Sequence, residues 1–298
     1  MATPIIHCRN LQKWYGQHHV LRDVDFQIKP GQLTGFLGPN GSGKTTTIRI
    51  LLGLLKPNSG STTIFGKSCQ TDGKTVRAEI GYLPGEIQFY TNLSGRRTLH
   101  YLARVRRRDC TDEIDRLAEV LELDLDKKVR KYSTGMRQKL GLIQALMHKP
   151  QLLILDEPTS ALDPLVRAVV FDELRNVVRD GRSVLFSSHS LSEVEELCDE
   201  IIIVRRGKIV EQQQISHLKS KALRRVKVVF ASTAEIPASL PASLHVRAND
   251  NTLVGTWTGK TADLVGWLAT QKIEDATIEA PDLSDLFLTY YRDEESGQ

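Results

Sequence analysis

The chain reads as an α/β protein: a mixed sheet, an antiparallel β subdomain beside it, a helical insertion, and a small α+β domain at the C-terminal end. Three observations predict this. Unbroken apolar runs such as Leu152-Leu153-Ile154-Leu155 have the pattern of strands buried on both faces of a parallel sheet. They alternate with stretches whose apolar residues recur at three- and four-residue steps, the helical period. Between the strand-like Leu33-Thr34-Gly35-Phe36-Leu37 and a helix-like run from Thr46 to Leu52 lies the octet Gly38-Pro39-Asn40-Gly41-Ser42-Gly43-Lys44-Thr45.

The octet sets the chemistry. Its glycines let the backbone turn so that successive N–H groups point inward, and the following helix adds its own donors and positive dipole end. Lys44 supplies a point charge for terminal phosphates, and Thr45 a hydroxyl suited to magnesium. A structural glycine turn would need neither. The G-x-x-x-x-G-K-[ST] spacing between strand and helix therefore predicts a P-loop NTPase core. Gly38, Pro39, Asn40, Gly41, Ser42, Gly43, Lys44, Thr45 and Thr46 are its nucleotide-binding candidates.

The elements follow in order. Val20, Val24, Phe26 and Ile28 stand two or four apart with polar residues between, as in an antiparallel sheet with one wet face. Lys56-Pro57-Asn58-Ser59-Gly60 is a turn cluster, Ser61 to Phe65 a short strand, and Ile80 to Leu83 another. From about Ser94 to Lys149 the pattern is helical: Leu117, Val120, Leu121 and Leu125 recur at helical steps, then Met136, Leu140, Ile143 and Met147. After the Leu152 run, Val166, Val169, Val170, Leu174 and Val177 form one helical stripe. Ser183 to Phe186 returns to strand, and so does Ile201 to Val204, turning at Arg205-Arg206-Gly207.

Past about Ser220 the character changes. Val226 to Phe230 and Thr252 to Trp257 are predicted strands, joined by an Ala/Ser/Pro-rich connection with Pro237 and Pro241. Ala262 to Thr270 reads as helix and Ile273 to Glu279 as strand. Pro281 opens a final helix with Leu283, Leu286, Phe287 and Tyr290 on one face. The expected domains are residues 1–219, with a helical subdomain at about 86–150, and a small accessory α+β domain at 220–298.

Bulk properties narrow the class. With 298 residues, 40% hydrophobic and 26% charged, the chain is globular rather than disordered, with room for two domains. No apolar run approaches the ~18 residues of a membrane span. The first residues lack the basic-then-apolar order of a secretory signal. Cys8, Cys69, Cys110 and Cys198 are scattered without a C-x-x-C pair and read as reduced cytosolic thiols. The net charge of +4 is mild. Its densest basic runs, Arg104-Val105-Arg106-Arg107-Arg108 and Arg224-Arg225-Val226-Lys227, lack aromatic interleaving, so solvated helix ends are favoured and no nucleic-acid partner is expected.

Four further features select among phosphate-loop enzymes. The Leu152 run ends in Asp156-Glu157, placing one carboxylate to bind magnesium and leaving Glu157 to polarise an attacking water. Tyr132-Ser133-Thr134-Gly135-Met136-Arg137-Gln138-Lys139 opens a helix with Ser133 as a natural N-cap, a second anion site. Ser160-Ala161-Leu162-Asp163 follows the acids, and His189 follows the next strand, within reach of a terminal phosphate. Tyr15, in Trp14-Tyr15-Gly16, precedes the loop by about one hairpin and is placed to stack on a purine, with core packing as the competing account.

The order Tyr15, Gly38–Thr45, Ser133–Gln138, Asp156-Glu157, Ser160–Asp163, His189 resembles the nucleotide-binding subunit of an ABC transporter, over residues 5–215. The resemblance implies that Lys44 and the loop amides bind the β and γ phosphates of ATP, and that Thr45 and Asp156 organise Mg2+. It implies Glu157 as general base and His189 as the γ-phosphate contact. It also implies a second copy of the chain, or a homologous ATPase subunit, whose bound ATP is met by Ser133 and Gly135. Two departures stand out. Thr134 and Met136 replace the usual signature residues, a form similar to one branch of exporters. Gly85 and Glu86 fall where the family places a magnesium-contacting glutamine, with Gln88 a little later. The tail around Ile273–Thr277 and Leu283–Phe287 resembles ATP-binding subunits of drug and antibiotic exporters. The implied protein is a Mg-ATPase that dimerises on ATP and powers a separate transmembrane permease from the cytoplasmic face. That permease would dock between Pro84 and Arg97, near Phe89 and Tyr90. The alternative is an ATPase of the same fold with no membrane partner.

Overall fold

The apolar runs form the middle of a six-stranded sheet. A computed structural model describes residues 3–221, 223–237 and 239–279, so the predicted helix opened by Pro281 lies outside the described residues. The chain divides into two compact units, Met1–Ile215 and Ser216–Gln298.

In the first unit, β1 (Ile6–Tyr15) and β2 (His18–Ile28) form an antiparallel hairpin. β3 (Leu33–Leu37) runs into the phosphate loop, and α1 (Lys44–Leu51) leaves it. β4 (Ser59–Ile64) and β5 (Lys67–Ser68) complete an antiparallel sheet of order β2-β1-β4-β5. α2 (Gly73–Ala78) and β6 (Ile80–Leu83) lead to α3 (Gly95–Arg106), α4 (Thr111–Val120) and α5 (Thr134–Leu146). Then come β7 (Leu152–Asp156), α6 (Pro164–Arg179), β8 (Ser183–Ser188), α7 (Leu191–Leu197), β9 (Glu200–Arg205) and β10 (Lys208–Gln214). The six-stranded order is β10-β9-β3-β8-β7-β6, parallel except for β10 against β9.

Every residue of β3, β7 and β8 is buried, as unbroken apolar runs require. Phe36, Phe171 and Phe186 are fully buried, each stabilising the fold by roughly 1.5–3 kcal/mol of apolar transfer. These three strands are neighbours, so their carboxyl ends open side by side. That edge carries the phosphate loop, Asp156-Glu157 and His189.

Two local readings are corrected. On β2 the buried set is Leu21, Val24, Phe26 and Ile28, and Val20 is only half-buried. A bulge with Asp23 at φ 54 intervenes: Leu11 pairs with Val24 and Lys13 with Leu21, so strict alternation changes face there. In the helical insertion, α4 ends at Val120, and Leu121 and Leu125 are buried from the connection beyond it. Glu122, at φ 50, breaks the helix.

The second unit begins within α8 (Ile215–Lys221). It contains β11 (Arg224–Phe230), β12 (Leu244–Asn249), β13 (Thr252–Trp257), α9 (Thr261–Leu268) and β14 (Ile273–Ile278). The antiparallel order is β12-β13-β11-β14, and the core joins Val226, Val228, Phe230, Leu253 and Trp257 to Leu264 and Leu268 of α9. β12 falls where only a connection is predicted. It is an edge strand with Leu244 alone buried, so its period-2 signal is weak, and it turns into β13 through Asp250 at φ 51.

Candidate functional site

The phosphate loop has the backbone its glycines allow. Gly41 has φ 78 and Gly43 φ 109, both left-handed. Gly38 is required by space: a Cβ there would lie 2.3 Å from the Val204 carbonyl oxygen. The loop lines a cavity of about 260 Å³ together with His18, Val20 and Glu157. The Ser42 hydroxyl is buried with no hydrogen-bond partner. An orphaned hydroxyl beside inward-turned amides fits an anion arriving from outside the chain.

Lys44 is buried and turned back, its Nζ donating to the Gly38 carbonyl at 2.6 Å and lying 3.5 Å from Glu157 Oε1. Glu157 Oε2 accepts from His189 Nδ1 at 2.8 Å, so one carboxylate bridges the loop lysine and the histidine. Glu157 itself sits at φ 50, a left-handed conformation that costs a non-glycine residue about 1–2 kcal/mol. Its N–H donates to the Ser187 carbonyl and hydroxyl, which hold it there. Gln138 of α5, buried, donates to the Pro158 carbonyl at 2.7 Å from the other side. Thr159 and Ser188 both donate to the Glu193 carboxylate of α7, pinning the turn after the acids.

Asp156, 1% exposed, ends β7. Its Oδ2 accepts from Thr45 Oγ1 at 2.8 Å and its Oδ1 from Ser187 Oγ at 2.6 Å. Burial, with Asp156 adding, pushes the nearby Tyr82 phenol up to about 12, so it stays neutral. Asp163 N-caps α6, and the amides of Val166 and Leu165 hold its carboxyl below the usual range.

The remaining predicted residues lie at the margins. Tyr15 is 47% exposed, which excludes core packing. It is the register partner of His18, which lines the cavity, so the two rings share one face of the hairpin end. Ser133 caps α5, accepting from the Met136 N–H at 3.2 Å, and is exposed. Gly135 approaches Ala161, whose carbonyl would be 2.9 Å from an added Cβ. Neither lines the phosphate cavity of its own chain. Glu86 and Gln88 are exposed, whereas a Cβ on Gly85 would stand 3.6 Å from Asp156 Oδ2. Sequence reading missed Ser187, Glu193, His18 and the task of Gln138. Ser187 is the register partner of Asp156, a signal available only once β7 and β8 are paired.

A family model described as ABC transporter matches residues 21–160. The ABC transporter ATP-binding protein YdbJ of Bacillus subtilis is 40% identical over 76% of this chain and 76% of its own length. The chain belongs to the ABC transporter ATP-binding family. The bacitracin transport ATP-binding protein BcrA of Bacillus licheniformis is 40% identical over 74% of this chain and 73% of its own. The daunorubicin resistance ATP-binding protein DrrA3 of Streptomyces coeruleorubidus is 33% identical over 97% and 96%. A solved ATP-binding subunit of an ABC transporter superposes with TM-score 0.67 at 28% identity, covering 72% of this chain and 92% of that one.

Membership of the ABC ATP-binding family implies that the chain binds and hydrolyses ATP. Among the described residues no helix is long and apolar enough to cross a membrane. Nor do three His, Cys, Asp or Glu side chains among them cluster to hold a metal. One hydroxyl and one carboxylate in contact, Thr45 and Asp156, suit a hard cation that keeps its waters and takes its other oxygens from phosphate.

Proposed function

We propose that this chain is the ATP-hydrolysing subunit of an exporter, driving a separate transmembrane permease, with ATP clasped between two copies of the chain or with a homologous subunit. The carrying observation is the Glu157 carboxylate, fixed at the end of β7 between Lys44 and His189. Phosphate oxygens entering the loop compete for Lys44 with Gly38 and Glu157. Lys44, the loop amides and Ser42 then bind the triphosphate, and Glu157 is freed to accept a proton from the attacking water. His189 holds Glu157 at rest and contacts the γ-phosphate in the closed state. Tyr15 and His18 offer ring faces to the base. Thr45 and Asp156 would hold Mg2+, which supplies charge neutralisation at the phosphates.

Exposed Ser133 and half-buried Gly135, neither lining their own chain's cavity, support the two-copy arrangement, in which each capped turn completes its partner's site. The export reading rests on relatives named for bacitracin transport and daunorubicin resistance. The segment from Pro84 to Arg97 is the proposed permease dock, holding the chain at the cytoplasmic face of the membrane. Tyr90 there is 72% exposed, and Phe89 is half-buried rather than free. The unit after Ile215 serves as an accessory, regulatory domain.

Glu157→Gln tests the reading. The expected outcome is a loss of ATP turnover well over tenfold with nucleotide binding retained. Equal rates would remove Glu157 from the mechanism.

A further inference from the structure

α3 carries four arginines, Arg96, Arg97, Arg104 and Arg106, and no acidic residue. Structure divides them by use. Arg96 pairs with Asp115 and Asp126, and Arg106 donates to the carbonyls of Ala78 and Ile80. Arg97 and Arg104 are exposed and, among the described residues, form no ion pair or side-chain hydrogen bond; nor does Arg107, which follows at φ 54. Arg97, Tyr101 and Arg104 stand four and three residues apart, one stripe of the helix. Tyr101 is 52% exposed and Val105 beside it 64%.

Tyr101 and Val105 set aromatic and aliphatic surface beside the two unpaired arginines. Two unpaired guanidinium groups about 10 Å apart along the axis, with no acidic residue between them, fit an array of negative phosphates. The aromatic and aliphatic groups between them match the composition of helices lying at a bilayer surface. A protein partner would need carboxylates at fixed positions, whereas a fluid headgroup layer supplies phosphate wherever a flexible arginine reaches.

We propose that the outer face of α3 binds the anionic headgroup surface of the membrane through Arg97 and Arg104, with Tyr101 and Val105 at the interface. This rests on the exporter reading for the presence of a membrane. Its test needs neither ATP nor permease, so the two can fail separately. The full chain is floated with phosphatidylcholine vesicles and with vesicles containing about one-third phosphatidylglycerol, near 0.1 M salt. Flotation is expected only with the anionic vesicles and is expected to fall as salt rises.

The double variant Arg97→Gln/Arg104→Gln is expected to bind roughly 30-fold more weakly, about fivefold for each charge removed. Arg97→Lys/Arg104→Lys should keep most of the binding. If the glutamine pair melts early, Arg104→Gln alone, at about fivefold, decides. Equal flotation on both vesicle types, or wild-type binding by the glutamine variants, would overturn the proposal. So would an Arg104→Gln variant, outside the proposed dock, that binds vesicles normally but loses a detergent-solubilised permease, because the stripe would then serve an acidic protein segment.

Discussion

His148 is a buried imidazole with an unusual balance of partners. Its Nε2 faces the Ile80 carbonyl at 3.3 Å, and its Nδ1 is buried without a partner. Burial, reinforced by Arg106 and Arg108, lowers its pKa from 6.5 to about 4. Between those values the unfolded chain binds more protons than the folded one. Stability from the neutral ring is therefore complete above about 6.5 and is lost as pH falls toward 4. Urea unfolding at pH 7 and pH 5 should show the wild type losing about 2 kcal/mol more than His148→Gln; parallel losses would contradict this assignment. The residue is also the least legible from sequence, since nothing in Met147-His148-Lys149 announces what covers it. The juxtaposition of Lys44, Thr45, Asp156 and Glu157 was legible because it follows from spacing and strand context. Ser187 and Glu193 act through neighbours far along the chain.

Among elements, the contact of α5 with β6 shows why a glycine stands in a buried strand. A Cβ on Gly81 would lie 2.1 Å from the Ala145 carbonyl oxygen and 2.6 Å from a Leu153 methyl. Backbone cannot yield as a side-chain tip does, so Gly81→Ala should cost about 3 kcal/mol in denaturant unfolding. A loss under about 0.5 kcal/mol would show that α5 does not press on the strand. The strands around the phosphate loop were readable because burial on both faces leaves unbroken apolar runs. β12, wet along most of its length, and the bulge before Val24 were not, since each depends on pairing that periodicity does not report. The segment from Pro84 to Arg97 belongs to this scale as well. Photocrosslinkers at Tyr90 should label the permease, and labelling confined to other surfaces would move the dock.

Within the first unit, the order β10-β9-β3-β8-β7-β6 gathers three strand ends into one edge beside the loop cavity, while the capped turn at Ser133 is exposed and outside that cavity. The fold class was legible because both halves of that pattern, buried strands and a loop of fixed spacing, are local. The partner proposed to complete the site is not local, and the exposed turn at Ser133, outside its own chain's cavity, is the observation that motivates it. Sedimentation of Glu157→Gln with Mg-ATP is the most direct test. A shift to twice the mass of one chain, reversed by ADP and abolished by adding Ser133→Arg, is the predicted result. A species that stays at the mass of one chain under saturating Mg-ATP, with nucleotide bound, would contradict the account.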